Sequence, residues 1–366
     1  MTSNQYFPQT IPHPGAILDE KLKEMGMSNK EFALRTDKPE KTITAILKGS
    51  SGITPEMAIK FENVTQIPAN FWIRYQQRYN EFKTREKLQI IVDNAEPWAR
   101  EFPYAEMAKL NWLPATRDIK EKTKNLLIFF GIASHKGWES LYIESELKVA
   151  AYTSLKQSHE PHAISAWLRQ GEIQAKKVPP PVFDICKVRS NIPAMRQLMV
   201  DHPVDFFRQL QHLCLEAGVI LLYTPKLPKV PLSGSTRWIN DHPLIQLTAR
   251  YKQNDRFWFT FFHELGHIVL HGKKYISLEN IDFAAADPEK EAQANDFAEK
   301  YTFSKEQEEK LLREHPTYIS PNDIINYAKE FNTHPAMIVG RLQHLGLIHF
   351  STGREFIVSV NLADHA

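Results

Sequence analysis

Cysteine is scarce in this chain. Cys186 and Cys214 are the only two in 366 residues, and neither stands in a CxxC pair. That excludes a disulfide framework and a thiolate zinc finger. Both thiols sit in apolar surroundings and are expected to be buried, in a reducing compartment. No apolar run approaches the roughly 20 residues of a membrane span, and the N-terminus lacks an apolar signal core. A soluble, cytoplasmic protein with no membrane partner is therefore expected. An excess of charge of one sign is lacking too: 45 Lys/Arg against 43 Asp/Glu leave +2. Contact with nucleic acid then has to come from a local patch rather than a global field. No internal repeat is visible, and a chain of this length is expected to hold two or three domains.

The most informative stretch runs from Phe257 to Gly272 and reads as a helix. His263 and His267 are four apart, so they share one face within reach of a single ion. Two neutral imidazoles at this spacing suit Zn²⁺. Glu264 is one step round, beside the ion, where a carboxylate can take a proton from water. Phe257, Phe261, Leu265 and Ile268 form the opposite, apolar stripe. Gly266 costs about 1 kcal/mol in a helix interior, and its expected use is close approach of another backbone. Asp255 or Asn254 is expected to cap the start and Gly272 to end the helix. His271 continues the histidine face but drifts off its axis, which suits a supporting or capping role better than that of a fourth ligand.

A zinc site of this kind needs a third ligand and one open position. Pro288 can open a second helix, and Glu291 in it is the best candidate. Asn295 lies one turn on, placed to bond a ligand histidine. Glu289 is the rival ligand but sits nearer the frayed end. Ala292, Ala294 and Ala298 are small enough for two helices to pack closely.

His263-Glu-Leu-Gly-His267 with His271-Gly272, then Glu291-x-x-x-Asn295-x-Phe297-Ala298, resembles the ImmA/IrrE metallopeptidases. Ser233-Gly-Ser-Thr-Arg-Trp238 and His242-Pro-Leu-Ile245 also fit, and the match covers roughly Val219 to Ser304. The resemblance implies that His263, His267 and Glu291 bind zinc and that Glu264 is the catalytic base. It also implies a protein substrate of the repressor or antitoxin class. Glu299-Lys-Tyr-Thr-Phe-Ser304 departs from the apolar run usual in that family. An oxyanion stabiliser is needed as well, and Arg237, His242, Tyr251 and Tyr275 are all open to that role.

At the other end, Ala16–Met25, Asn29–Arg35 and Glu40–Lys48 read as helices, with Ser28 as a cap and Asp37 at the turn. Ile43 and Ile46 pack the third helix down. This is a helix-turn-helix whose second helix would face DNA with Lys41, Thr42, Thr44 and Lys48. Residues 1–90 hold 13 Lys/Arg against 10 Asp/Glu, only mildly basic. His13-Pro-Gly, Ser28-x-Lys-Glu-Phe-Ala33, Gly52-Ile-Thr-Pro-Glu-Met-Ala58 and Phe71-Trp72 resemble the XRE-type, HigA-like antitoxins. That resemblance implies operator DNA as a partner, a homodimer, and a toxin as a further partner. Asp37 and Pro39-Glu40-Lys41 stand where the family usually has Gly and Ser-Arg-Gln.

Between the two ends the chain reads as helical. A short helix is expected over Glu86–Asn94, and a helix with a Gly interruption over Ala163–Ala175. The Trp167-Leu-Arg-x-Gly171-Glu-Ile pattern resembles the segment that joins such a helix-turn-helix to an ImmA/IrrE domain. Val219–Tyr223, Arg237–Ile239 and Leu244–Leu247 are expected strands, and Phe356–Val360 a closing one. The fold class is thus mainly α with a small antiparallel sheet (α+β). A lambda-repressor-like helix-turn-helix bundle over 1–90 is followed by a helical linker over 91–204 and a zincin-like domain over 205–366. The functional expectation is a DNA-binding transcriptional regulator carrying a zinc endopeptidase that cuts a regulatory protein or itself. The alternative is a regulator or antitoxin whose zincin-like domain only senses metal, peptide or a partner.

Overall fold

Five helices begin the chain: α1 (Pro14–Glu24), α2 (Asn29–Arg35), α3 (Glu40–Leu47), α4 (Pro55–Thr65) and α5 (Ala69–Arg100). The structure, a computed structural model, describes residues 10–144, 160–248, 250, 252–274, 277–278, 288–315 and 318–362. It divides into two units, Met1–Asn94 and Ala95–Ala366. In the first, Leu18, Leu22, Phe32, Ala33, Ile43, Ile46, Phe61 and Trp72 form one core. The Ser28 hydroxyl caps α2 by accepting from the Glu31 amide at 3.2 Å. Asp37 turns the chain between α2 and α3 in the left-handed region, at φ 52°.

α5 is one continuous helix, and the short helix expected over Glu86–Asn94 is a part of it. Its middle has no apolar periodicity to mark it. Ion pairs and amide contacts one turn apart support it instead, Arg85 with Glu81 at 2.7 Å and Gln89 to Asp93 at 2.9 Å. Pro97 lies in the last turn of the helix, where it gives up one amide-to-carbonyl bond.

The second unit begins with α6 (Tyr104–Lys109), α7 (Ile119–Phe130), α8 (His135–Glu139), α9 (Pro161–Ala175), α10 (Ile185–Asp201) and α11 (Phe206–Glu216). A sheet follows, made of β1 (Ile220–Tyr223), β2 (Gly234–Ile239), β3 (His242–Leu247) and β4 (Ser277–Leu278), in the order β1-β3-β2-β4. The remaining helices are α12 (Asn254–His271), α13 (Pro288–Thr302), α14 (Lys305–Glu314), α15 (Pro321–Phe331) and α16 (Pro335–His344). The molecule is mainly helical with a small sheet, as expected, but the sheet is mixed rather than antiparallel. β2 is antiparallel to β3 and β4, while β1 runs parallel to β3, with Ile220 opposite Leu244. The expected strand at Phe356–Val360 is reduced to a single bridge between Gln253 and Ser359.

The two faces of the sheet differ. Leu221, Ile245 and Leu247 join the large core that holds Phe257, Trp258, Phe261 and Phe262 of α12. Each such side chain stabilises by about 1.5–3 kcal/mol, so burial outweighs the cost of the glycine in that helix. On the other face, Ile220, Leu222 and Leu244 pack with Ala175 of α9. Beside them lies a polar layer. The Gln246 amide donates to Trp167 O at 2.8 Å and to Thr224 Oγ1 at 2.9 Å. Arg237 donates to Leu168 O at 2.6 Å. α9 shows no interruption at Gly171; that glycine is there because a Cβ would come within 2.1 Å of Gln246 Oε1. Cys214 is buried as expected, whereas Cys186, in the first turn of α10, is exposed. Among the described residues no helix is long and apolar enough to cross a membrane.

Gly171→Ala should therefore lower the thermal midpoint, at a cost of about 1–3 kcal/mol. Gly137→Ala, whose Cβ would meet only the Ile132 side chain at 3.4 Å, should leave it unchanged or raise it. Equal melts for the two variants would contradict the docking of α9.

Candidate metal centre

The centre is built on α12. Its N-cap is Gln253, with no side-chain cap, rather than Asn254 or Asp255. Asn254 instead ties the C-terminal segment to the helix start, since its Oδ1 accepts from the Val358 amide at 3.2 Å. Gly272 ends the helix at φ 65°. Phe257, Phe261, Leu265 and Ile268 are all buried. With that stripe turned into the core, the helical period leaves His263 and His267 on the side that meets α13.

There the two Nε2 atoms lie 3.0 Å apart. Glu291 Oε2 is 3.3 Å from His263 Nε2, and its Oε1 is 3.6 Å from His267 Nε2. His263, His267 and Glu291 thus form a group that could hold a metal ion, with ligand atoms all within 4.8 Å of one another. A tetrahedral zinc with ligands at 2.0–2.2 Å has edges of about 3.3 Å, so the spacing fits.

The protonation pattern fits as well. Burial, and then the neighbouring His263, push the His267 pKa down to about 3, against an opposing pull from Glu291. His267 is therefore neutral near pH 7, and its contact with Glu291 is not a salt bridge in the metal-free chain. His263 Nδ1 meets Asn295 Oδ1 at 2.9 Å, and His267 Nδ1 meets His271 Nδ1 at 3.0 Å. A proton on each Nδ1, donated outward, would leave both Nε2 atoms with lone pairs. Two bare imidazole nitrogens and a carboxylate cannot hydrogen-bond one another in that state. A cation among them turns the repulsion into coordination.

Sequence reasoning missed Gln293. His271 Nε2 meets Gln293 Oε1 at 3.0 Å, and Gln293 Nε2 donates to Glu289 Oε1 at 3.3 Å. Glu289, the rival ligand, is held in this contact. The signal available was position: Gln293 lies between Glu291 and Asn295 on the same helix. Gly266 makes room for the ring of Phe297 on α13, not for a backbone, since a Cβ there would meet that ring at 3.2 Å.

Glu264 is fully buried. Its side chain rests against β2, where a Cβ on Gly234 would come within 2.8 Å of Oε1. The Thr236 hydroxyl donates to the Glu264 carbonyl at 3.1 Å. Strand alternation decides the position of Arg237. Gly234 and Thr236 face α12, so Arg237 faces α9, and the sheet stands between its guanidinium and the histidines. Arg237 is therefore not placed for an oxyanion. His242 pairs with Ile239 at the far end of β2, about 16 Å along the strand from Gly234 at ~3.3 Å per residue. Tyr251 and Tyr275 lie outside the described residues.

In the first unit, Lys41 and Lys48 are exposed, Thr42 and Thr44 are half-buried, and Ile43 and Ile46 hold α3 to the core. Lys41, Thr44 and, just past the helix end, Lys48 lie on the side of α3 away from Ile43 and Ile46, whereas Thr42, one turn before Ile46, shares the face of that anchor.

The helix-turn-helix family matches residues 18–72, and the IrrE N-terminal-like domain of the M78 peptidases matches residues 210–343. The uncharacterized HTH-type transcriptional regulator YddM of Escherichia coli (strain K12) is 35% identical over 79 residues, which are 22% of this chain and 84% of that protein. Virulence-associated protein A of Dichelobacter nodosus is 34% identical over 70 residues, 19% of this chain and 69% of that one. Among solved structures, an addiction module antidote protein of a HigA family from Coxiella burnetii is 30% identical with a TM-score of 0.21, covering 22% of this chain and 87% of its own. Pseudomonas aeruginosa antitoxin HigA, solved with the higBA promoter, is 29% identical with a TM-score of 0.21, covering 21% and 86%. The chain belongs to the helix-turn-helix transcriptional regulators and carries, behind that domain, an IrrE N-terminal-like domain of the M78 peptidase family.

Proposed function

We propose that the chain is a DNA-binding regulator whose residues 205–366 act as a zinc-dependent endopeptidase on a regulatory protein of the repressor or antitoxin class, or on the chain itself. Residues 1–90 hold operator DNA through Lys41, Thr42, Thr44 and Lys48, as a homodimer in the cytoplasm, with a toxin as a further partner. The observation that carries the peptidase reading is the convergence of His263, His267 and Glu291 with Glu264 next along the helix.

His263, His267 and Glu291 would hold the zinc. When bound, zinc supplies Lewis-acid polarisation of the scissile carbonyl and a lowered pKa for water. Glu264 takes the proton of the attacking water and hands it to the leaving nitrogen. Asn295 fixes the ring of His263. One observation favours the non-proteolytic reading, a sensor: Glu264, His263 and His267 are at most 3% exposed, so a peptide reaches them only if the site opens.

Purified protein should carry one zinc per chain, and His263→Ala should lose it. Glu264→Gln should keep the zinc and abolish cleavage of the chain or of a co-expressed repressor. Full biological output from Glu264→Gln would leave the sensor. The metal-free chain should be fully stabilised by His267 above pH 6.5. This contribution should fall as the pH drops towards 3, because the unfolded chain then binds the extra proton. His267→Gln should flatten that slope in acid denaturation, and an unchanged slope would contradict burial of a neutral His267. On DNA, a shift assay should show salt-dependent binding. Lys41→Ala with Lys48→Ala should cut the log–log salt slope by about 1.8 for each protomer, about 3.6 for the homodimer; an unaltered slope removes α3 as the reading helix.

A further inference from the structure

We propose that Gln293 is a positioning residue of the metal centre. Acting through His271, it holds His267 in the tautomer that presents Nε2 to the ion. This rests on the reading of His263, His267 and Glu291 as the metal ligands.

The inference follows the protons. The Gln293 amide has its orientation set by its own nitrogen, which donates to Glu289 Oε1 at 3.3 Å. Its Oε1 therefore faces His271 Nε2 at 3.0 Å as an acceptor, and a proton belongs on that nitrogen. An imidazole whose single proton sits on Nε2 has a lone pair on Nδ1. That lone pair lies 3.0 Å from His267 Nδ1, which must then be the donor. His267 is left with a bare Nε2, the atom 3.0 Å from His263 Nε2 and 3.6 Å from Glu291.

Remove the acceptor at position 293 and the sequence can reverse. His271 is then free to carry its proton on Nδ1, His267 must accept it there, and His267 Nε2 becomes an N–H that no cation can use. Neutral imidazole in water favours the proton on Nε2, so the opposite tautomer in a ligand has to be imposed by its surroundings. His271 is also accounted for by this chain: its two ring nitrogens are committed to His267 and Gln293, so it is not a fourth ligand. α13 thus serves the centre three times over, with Glu291 on the ion, Asn295 behind His263 and Gln293 behind His271 and His267. Gln293 is an exposed residue, so its identity is not dictated by packing.

The test uses the full chain, stripped of metal. Zn²⁺ alone is titrated in competition with a chromophoric chelator, and histidine ring nitrogens are read by ¹⁵N NMR before metal is added. Gln293→Leu should weaken zinc about 10- to 100-fold and shift the His267 ring signals from the Nδ1–H to the Nε2–H pattern, with an unchanged thermal midpoint. Gln293→Glu, which keeps an acceptor oxygen, should retain wild-type affinity and ring signals. If Gln293→Leu matches the wild type in both readouts, the proposal is overturned. If the wild-type chain binds no zinc at all, the metal reading itself fails. The ring spectra of the metal-free chain then still decide whether Gln293 sets the tautomer.

Discussion

The packing of α12 against α13 is the constraint on which the rest of the second unit depends. Neither helix holds a metal site alone. α12 offers two imidazoles one turn apart, and α13 offers the carboxylate that closes the triangle at 3.3 and 3.6 Å. The contact is possible because Gly266 leaves room for Phe297, which together with Ala298 is buried between the helices. Apolar burial supplies the free energy. The polar groups then find their partners within a geometry that burial has already fixed. This order of effects explains how three potential ligand atoms are brought within 4.8 Å of one another.

A second constraint acts from the far side of the sheet. The layer of Trp167, Gln246, Thr224 and Arg237 joins α9 to β1, β2 and β3. Buried polar groups of this kind are costly unless each is paired. Gln246 and Arg237 bond the carbonyls of Trp167 and Leu168 and so tie the sheet to α9, while Arg237 Nε and Gln246 Oε1 have no partner among the described residues. β2 carries that tie to the site, since Gly234 and Thr236 lie along Glu264. The match to the peptidase family begins at residue 210, yet α9, well before it, helps to position the strand against which the candidate base rests.

Much of this was legible in the sequence. The apolar stripe of α12, the four-residue spacing of its histidines, and the cap at Ser28 are local signals, and they read directly. Ile43 and Ile46 likewise marked the buried side of α3. Features set by distant contacts were not legible. The parallel pairing of β1 with β3 skips β2, so no turn announces it. Gln293 reaches His271 across 22 residues of chain. Arg237 looked available for chemistry until strand alternation placed it on the α9 face. Gly171 looked like a helix breaker because its reason, Gln246, lies far along the chain on β3. The length of α5 was hidden for the opposite reason: charged pairs sustain it, and an apolar pattern does not.

The central claim is that one cation belongs between two imidazoles and a carboxylate. Anomalous diffraction at the zinc edge from crystals of the full chain tests it most directly. The account predicts a single peak about 2.0–2.2 Å from His263 Nε2, His267 Nε2 and a Glu291 carboxylate oxygen. A map with no peak there, or with zinc held by other residues, would contradict it.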